Sequence, residues 1–167
     1  HHILSTKGTK MKINGQVIDN SKTEILVIPK GGVDIVFEAK PVLNYDDFDK
    51  LCPEPLAPSL DRPGQSTVLD VTDKKYLAEI DKWAKYKASW TIITSLSATS
   101  GLEWDTVELN NPETWSNWEQ ELRIVFAEAE IKMILDIVWL ACGLNQNKIE
   151  EATANFIASL AKVSEQQ

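Results

Sequence analysis

Histidine is nearly absent from this chain of 167 residues: its two copies are His1 and His2. With Ile3 to Lys10 they read as the remnant of a histidine tag and linker, so residues 1–10 are set apart and Met11 is the expected natural start. Without another histidine there is no Ser-His or Cys-His pair and no imidazole metal ligand. Cysteine is scarce too. Cys52 and Cys142 lie far apart with no secretory signal before them, which favours reduced thiols over a disulfide. Long apolar runs are missing: Ile131 to Cys142 is interrupted by Lys132 and Asp136, short of the ~18–20 residues of a membrane span. No Gly-x-Gly-x-x-Gly, Walker A loop or Gly-x-Ser-x-Gly elbow occurs, and no lysine or hydroxyl follows Gly31-Gly32 at the offset a phosphate cradle needs. Asp46, Asp47 and Asp49 lack the glycine and distal glutamate of a calcium loop, and are better read as acids at a helix start. Glu119 and Glu121 are two residues apart, as are Glu128 and Glu130, so neither pair shares a helix face and all four read as surface glutamates. The sequence therefore nominates no catalytic, cofactor-binding or metal-binding residue, and no enzyme is expected.

Excess positive charge is also lacking. The net charge is −8, and it falls entirely on Leu102 to the end, with 12 acids and 4 bases; the residues before it are balanced. A chain of this sign has no general phosphate-neutralising surface, so no nucleic-acid partner is expected. The acidity serves solubility or matches a basic partner. The one basic stretch, Lys74, Lys75, Lys82, Lys85 and Lys87, interleaves with Tyr76, Trp83, Tyr86 and Trp90. Those aromatics fall at core spacing, so the lysines read as a solvated face.

The apolar pattern predicts an α+β fold. Asn14-Gly15 between short apolar flanks is a hairpin turn. Glu24 to Ile28 is a strand that Pro29 should end, Gly31-Gly32 a second turn, and Val33 to Ala39 a strand with Val33, Ile35, Phe37 and Ala39 on one face. Residues 11–52 then form a small β-rich subdomain, an antiparallel sheet of three or four strands over residues 11–43 followed by a short helix capped by Asn44. Pro53, Pro55, Pro58 and Pro63 make residues 53–72 a stiff connector, with a further short strand around Thr67 to Val71. Residues 73–167 form a helical domain of about four helices. The first begins at Asp73 and ends by Gly101; Asn111-Pro112 opens the second; a break at Ala127 precedes the third, which ends at Gly143; Asn145 opens the last, with the stripe Ile149, Ala152, Phe156, Leu160 and Val163.

Thr99 to Leu122 holds Trp104, Trp115 and Trp118, half of the six tryptophans. A linker this aromatic is either a crossover packed between helices or a surface that a partner covers. Trp104 sits in a segment that alternates polar and apolar; Trp115 and Trp118 follow the capped helix start.

Five stretches resemble the tail assembly chaperones of long-tailed bacteriophages: Phe48 to Pro53, Gly101 to Val107, Pro112 to Trp115, Glu128 to Ile131, and Gly143 to Ala152. The resemblance spans roughly Asp46 to Leu160 and lies in packing and capping residues rather than a catalytic signature. It implies a non-enzymatic protein, without cofactor, that acts in the host cell cytoplasm by binding the tape measure protein and tail tube subunits, with oligomerisation left open. Before Glu128, Ile124 to Ala127 departs from the family's expected glycine-containing break. On this reading Trp104, Trp115 and Trp118 are the candidate partner-binding residues. The alternative is an acidic phage inhibitor or nucleic-acid mimic acting on a host protein.

Overall fold

The computed structural model describes residues 10–18, 23–61, 63–143 and 146–165, with side chains of the last helix described from 149 to 163. Residues 1–9 of the expected tag, and Asn145 as the start of the last helix, lie outside the described residues.

The fold is α+β, as the pattern predicts. Among the described residues it has three two-stranded antiparallel sheets and five α-helices. Strands β1 (Lys12–Ile13) and β2 (Gln16–Val17) meet at the Asn14-Gly15 turn, whose φ values of 53° and 78° are those of the twisted hairpin turn expected there. Strands β3 (Glu24–Lys30) and β4 (Val33–Ala39) form the main hairpin around Gly31-Gly32. The single sheet expected over residues 11–43 is thus two separate hairpins. β1 and β2 are two residues each and wholly exposed, so they bring no apolar face to extend the second hairpin.

Pro29 does not end β3. It pairs with Asp34, one step from the Lys30–Val33 pair that closes the two-residue turn. Pairs in an antiparallel ladder alternate between hydrogen-bonded and open, and Pro29 takes an open position where its missing N–H is not needed. The proline-rich connector is not free of regular structure either: β5 (Ser59–Leu60) pairs with β6 (Val68–Leu69), the strand expected near Thr67.

Helix α1 (Asp46–Leu51) starts after Tyr45. Asn44, expected as the cap, stands one residue before the cap position, which Tyr45 holds, and its side chain accepts from the Asp46 N–H at 3.2 Å. Helix α2 (Lys74–Leu96) is capped by Asp73, whose carboxylate accepts from the Tyr76 N–H at 2.9 Å. The two halves of α2 differ. Residues 74–88 are exposed or half-buried, whereas 89–93, 95 and 96 are buried, so the second half is enclosed on nearly all sides. Asn111-Pro112 opens a 3₁₀ turn (Pro112–Thr114) that leads into α3 (Asn117–Val125). α4 (Glu128–Ala141) follows after Phe126 and Ala127 alone. Both residues are extended, at ψ 147° and 160°, which any L-residue adopts, so this corner needs no glycine. Glu130 accepts from the Ala127 N–H at 2.8 Å and closes the start of α4. Gly143 ends it with φ 70°, and α5 (Gln146–Glu165) comes last. No helix among the described residues is long and apolar enough to cross a membrane.

One buried cluster joins the expected N-terminal and helical parts. Ile28, Phe37 and Ala39 of the main hairpin share it with Phe48, with Trp90 and Leu96 of α2, and with Ile134 and Val138 of α4. Lys30 reaches across to Glu130 at 2.7 Å, bracing the hairpin against α4. The edge of β4 is closed by hydroxyls at the end of α2. Thr99 Oγ1 accepts from the Glu38 N–H at 2.9 Å and donates to the Glu38 carbonyl at 3.0 Å. The Ser95 hydroxyl donates to the Lys40 carbonyl at 2.8 Å, and the Ser95 carbonyl accepts from the Lys40 N–H at 3.0 Å.

Candidate partner-binding groove

The three nominated tryptophans occupy different places. Trp115 is 0% exposed. Its ring lies 5.9 Å from Phe48 and 6.1 Å from Tyr86, and its Nε1 donates to the carbonyls of Glu108 at 3.1 Å and Leu109 at 3.3 Å. Trp118 is also buried, its Nε1 donating to the Ser89 hydroxyl at 3.1 Å. A buried indole keeps its apolar body in the core only if the N–H finds an acceptor, and both do. Trp115 and Trp118 therefore serve the chain's own interior and present no open face. Only Trp104 is half-buried.

Trp104 lines a groove of about 370 Å³ between β4, the loop after α2, and α3. Leu122, Phe126 and Phe37 form its floor, the two phenylalanine rings meeting edge-on at 5.4 Å. Val36 and Val125, both exposed, stand on its rims. The segment carrying Trp104 is not a strand: its alternation finds no second strand, and it runs through bends at Asp105 and Thr106. Glu121 supplies the missing partner. Its carboxylate accepts from the Asp105 N–H at 2.7 Å, the Thr106 N–H at 2.9 Å and the Thr106 hydroxyl at 2.6 Å. Burial alone would raise this carboxyl. The Thr106 hydroxyl and the two amides outweigh it and hold the group below the ordinary carboxylate value. Glu121 and Glu130, expected as plain surface residues, are therefore structural. No spacing in the sequence pairs Glu121 with a turn 15 residues earlier, and only the fold reveals it.

A larger depression, about 440 Å³, lies between α1, the end of α2 and the Leu109-Asn110 turn. Asp47 and Lys50 border it and Trp90 lies beneath. Its lining sets Asp47, Lys50 and polar groups around one indole; the smaller Trp104 groove, where an indole and two phenylalanines gather, is the better candidate for a protein contact.

Two of the five lysines of α2, Lys82 and Lys87, lie over the chain's own rings. Lys87 Nζ lies 4.6 Å from the Tyr45 ring centre and 4.9 Å from that of Trp83, and Lys82 Nζ lies 5.5 Å from that of Tyr86. Trp83 Nε1 donates to the Cys52 carbonyl at 3.0 Å, and burial pushes the Cys52 thiol up, against the opposing pull of Lys82. Cys52 and Cys142 are free thiols. Among the described residues no group of three or more His, Cys, Asp or Glu side chains is placed to hold a metal ion.

No protein-family model, curated protein or solved structure matches the chain.

Proposed function

We propose that the chain is a non-enzymatic, partner-binding protein of bacteriophage tail assembly, working in the host cell cytoplasm, and that the Trp104 groove receives a segment of the tape measure protein. The observation that carries this reading is the half-exposed indole in an apolar groove whose backbone Glu121 fixes in place. Aromatic anchors seated in such pockets dominate protein–protein affinity. Part of the lining, Gly101 to Trp104, also lies in one of the stretches that resemble tail assembly chaperones, Gly101 to Val107. Glu103 at the groove and the −8 charge of the chain from Leu102 onward suit a partner with apolar residues flanked by lysine or arginine.

Co-expression with overlapping segments of the tape measure protein tests the reading. A soluble complex with one segment is expected, with Trp104→Ala weakening it about tenfold or more. Failure to bind any tape measure or tail tube segment, or binding indifferent to Trp104, would refute it.

A further inference from the structure

Helix α5 is an amphipathic element whose described apolar side chains are all exposed. It is 20 residues long, and every described side chain from Ile149 to Val163 is exposed. Ile149, Phe156, Ile157, Leu160 and Val163 are each between 51% and 63% open. A helix of this length standing alone is marginal in water; in proteins most helical stability comes from covering such a face.

The stripe itself says what covers it. Ile157 aside, whose mirror position is Asn155, its apolar positions are symmetric about Phe156: Ala152 and Leu160 lie four residues to either side, Ile149 and Val163 seven. A stripe symmetric about its midpoint is matched residue for residue by a copy of itself running the opposite way. A twofold axis at Phe156 sets Ile149 against Val163, and small Ala152 against large Leu160, the alternation that lets layers interdigitate. The charges agree. Glu150 and Glu151 precede the midpoint and Lys162 follows it. Antiparallel pairing lays Lys162 of one copy beside the two glutamates of the other, whereas parallel pairing stacks acids on acids.

We infer that α5 is a self-association helix, pairing antiparallel with α5 of a second copy of this chain about a twofold axis at Phe156. The inference does not depend on the Trp104 groove, which belongs to other elements.

Analytical ultracentrifugation of the full chain at micromolar concentration tests it. The expected species has twice the 18.7 kDa mass of the chain. Phe156→Glu should raise its dissociation constant about 10- to 100-fold. All six tryptophans lie outside α5, so the near-ultraviolet circular dichroism of that variant should match wild type and show that the body stays folded. Lys162→Glu should weaken the pair, and adding Glu150→Lys and Glu151→Lys should restore it. A chain that stays monomeric, or a dimer indifferent to Phe156→Glu, overturns the inference. A dimer that the charge swap fails to restore overturns the antiparallel arrangement.

Discussion

Helices α4 and α5 follow one another across the Gly143 turn, and both carry an apolar stripe, yet only one of them is covered. α4 buries Ile131, Ile134, Ile137 and Val138, while no described side chain of α5 between Ile149 and Val163 is buried. The difference does not lie in the stripes. α4 has the β3–β4 hairpin against it, held by an ion pair between Lys30 and Glu130. Among the described residues no element buries a side chain of α5 between Ile149 and Val163. A periodic stripe states that a face must be removed from water; where the covering surface comes from is decided elsewhere in the chain, or in another chain.

Substitutions can break or sharpen this contrast. The largest loss is expected at the centre of the covered region, where Trp115→Ala should cost about 3–5 kcal/mol in urea unfolding. Within α4, Ile134→Ala should cost about 2–5 kcal/mol; a value near zero would mean that the hairpin does not pack on α4 as described. Ser89→Ala removes the acceptor of the buried Trp118 N–H and should cost about 1–3 kcal/mol, read from the same unfolding curves.

The Glu130 contribution is smaller and depends on pH. The Lys30 hydrogen bond, followed by the Ala127 amide, holds this carboxyl below its ordinary value of 4.5. A depressed folded value stabilises above the unfolded one and is lost as pH falls through the folded value. Unfolding midpoints of wild type and Glu130→Gln should therefore differ at neutral pH and converge as pH drops below 4.5. A difference that persists in acid would show that the charge of Glu130 is not its source. The smallest effect should fall on α5. Phe156→Ala, measured at a dilution where the chain is monomeric, should shift stability by no more than about 0.5 kcal/mol. A loss like that of Ile134→Ala would place α5 against its own body.

Local chemistry made much of this fold legible in the sequence. Asn14-Gly15, Asp73 and Gly143 each impose a turn or helix boundary through their own backbone preference or side-chain oxygen, and these boundaries stand; Asn111-Pro112, expected to open a helix, caps only a 3₁₀ turn, and α3 starts five residues after Pro112, at Asn117. What remained illegible depends on distant partners. The alternation around Trp104 looks like a strand, but a strand needs a neighbour, and a glutamate side chain took that place. Pro29 looks like a strand end, but its harm depends on which way its nitrogen faces, which the turn register sets. For the candidate site, the sequence brought attention to all three tryptophans. It had no means to separate Trp104 from Trp115 and Trp118, because their exposure follows from Phe48, Tyr86 and Ser89, residues far away along the chain.

The hydroxyls of Ser95 and Thr99 bear on how this protein can fail. Ile25 to Ile28 is a run of β-branched and aliphatic residues cut short by Pro29, and it sits in a hairpin of only two strands. Fibril growth needs strands to add on both sides of each molecule. Glu38 and Lys40 already spend their backbone groups on Ser95 and Thr99, which stand where the next strand of a growing stack would have to dock. Ser95 and Thr99 thus occupy the far end of the β4 edge, at Glu38 and Lys40, and leave less of it for another strand to pair with.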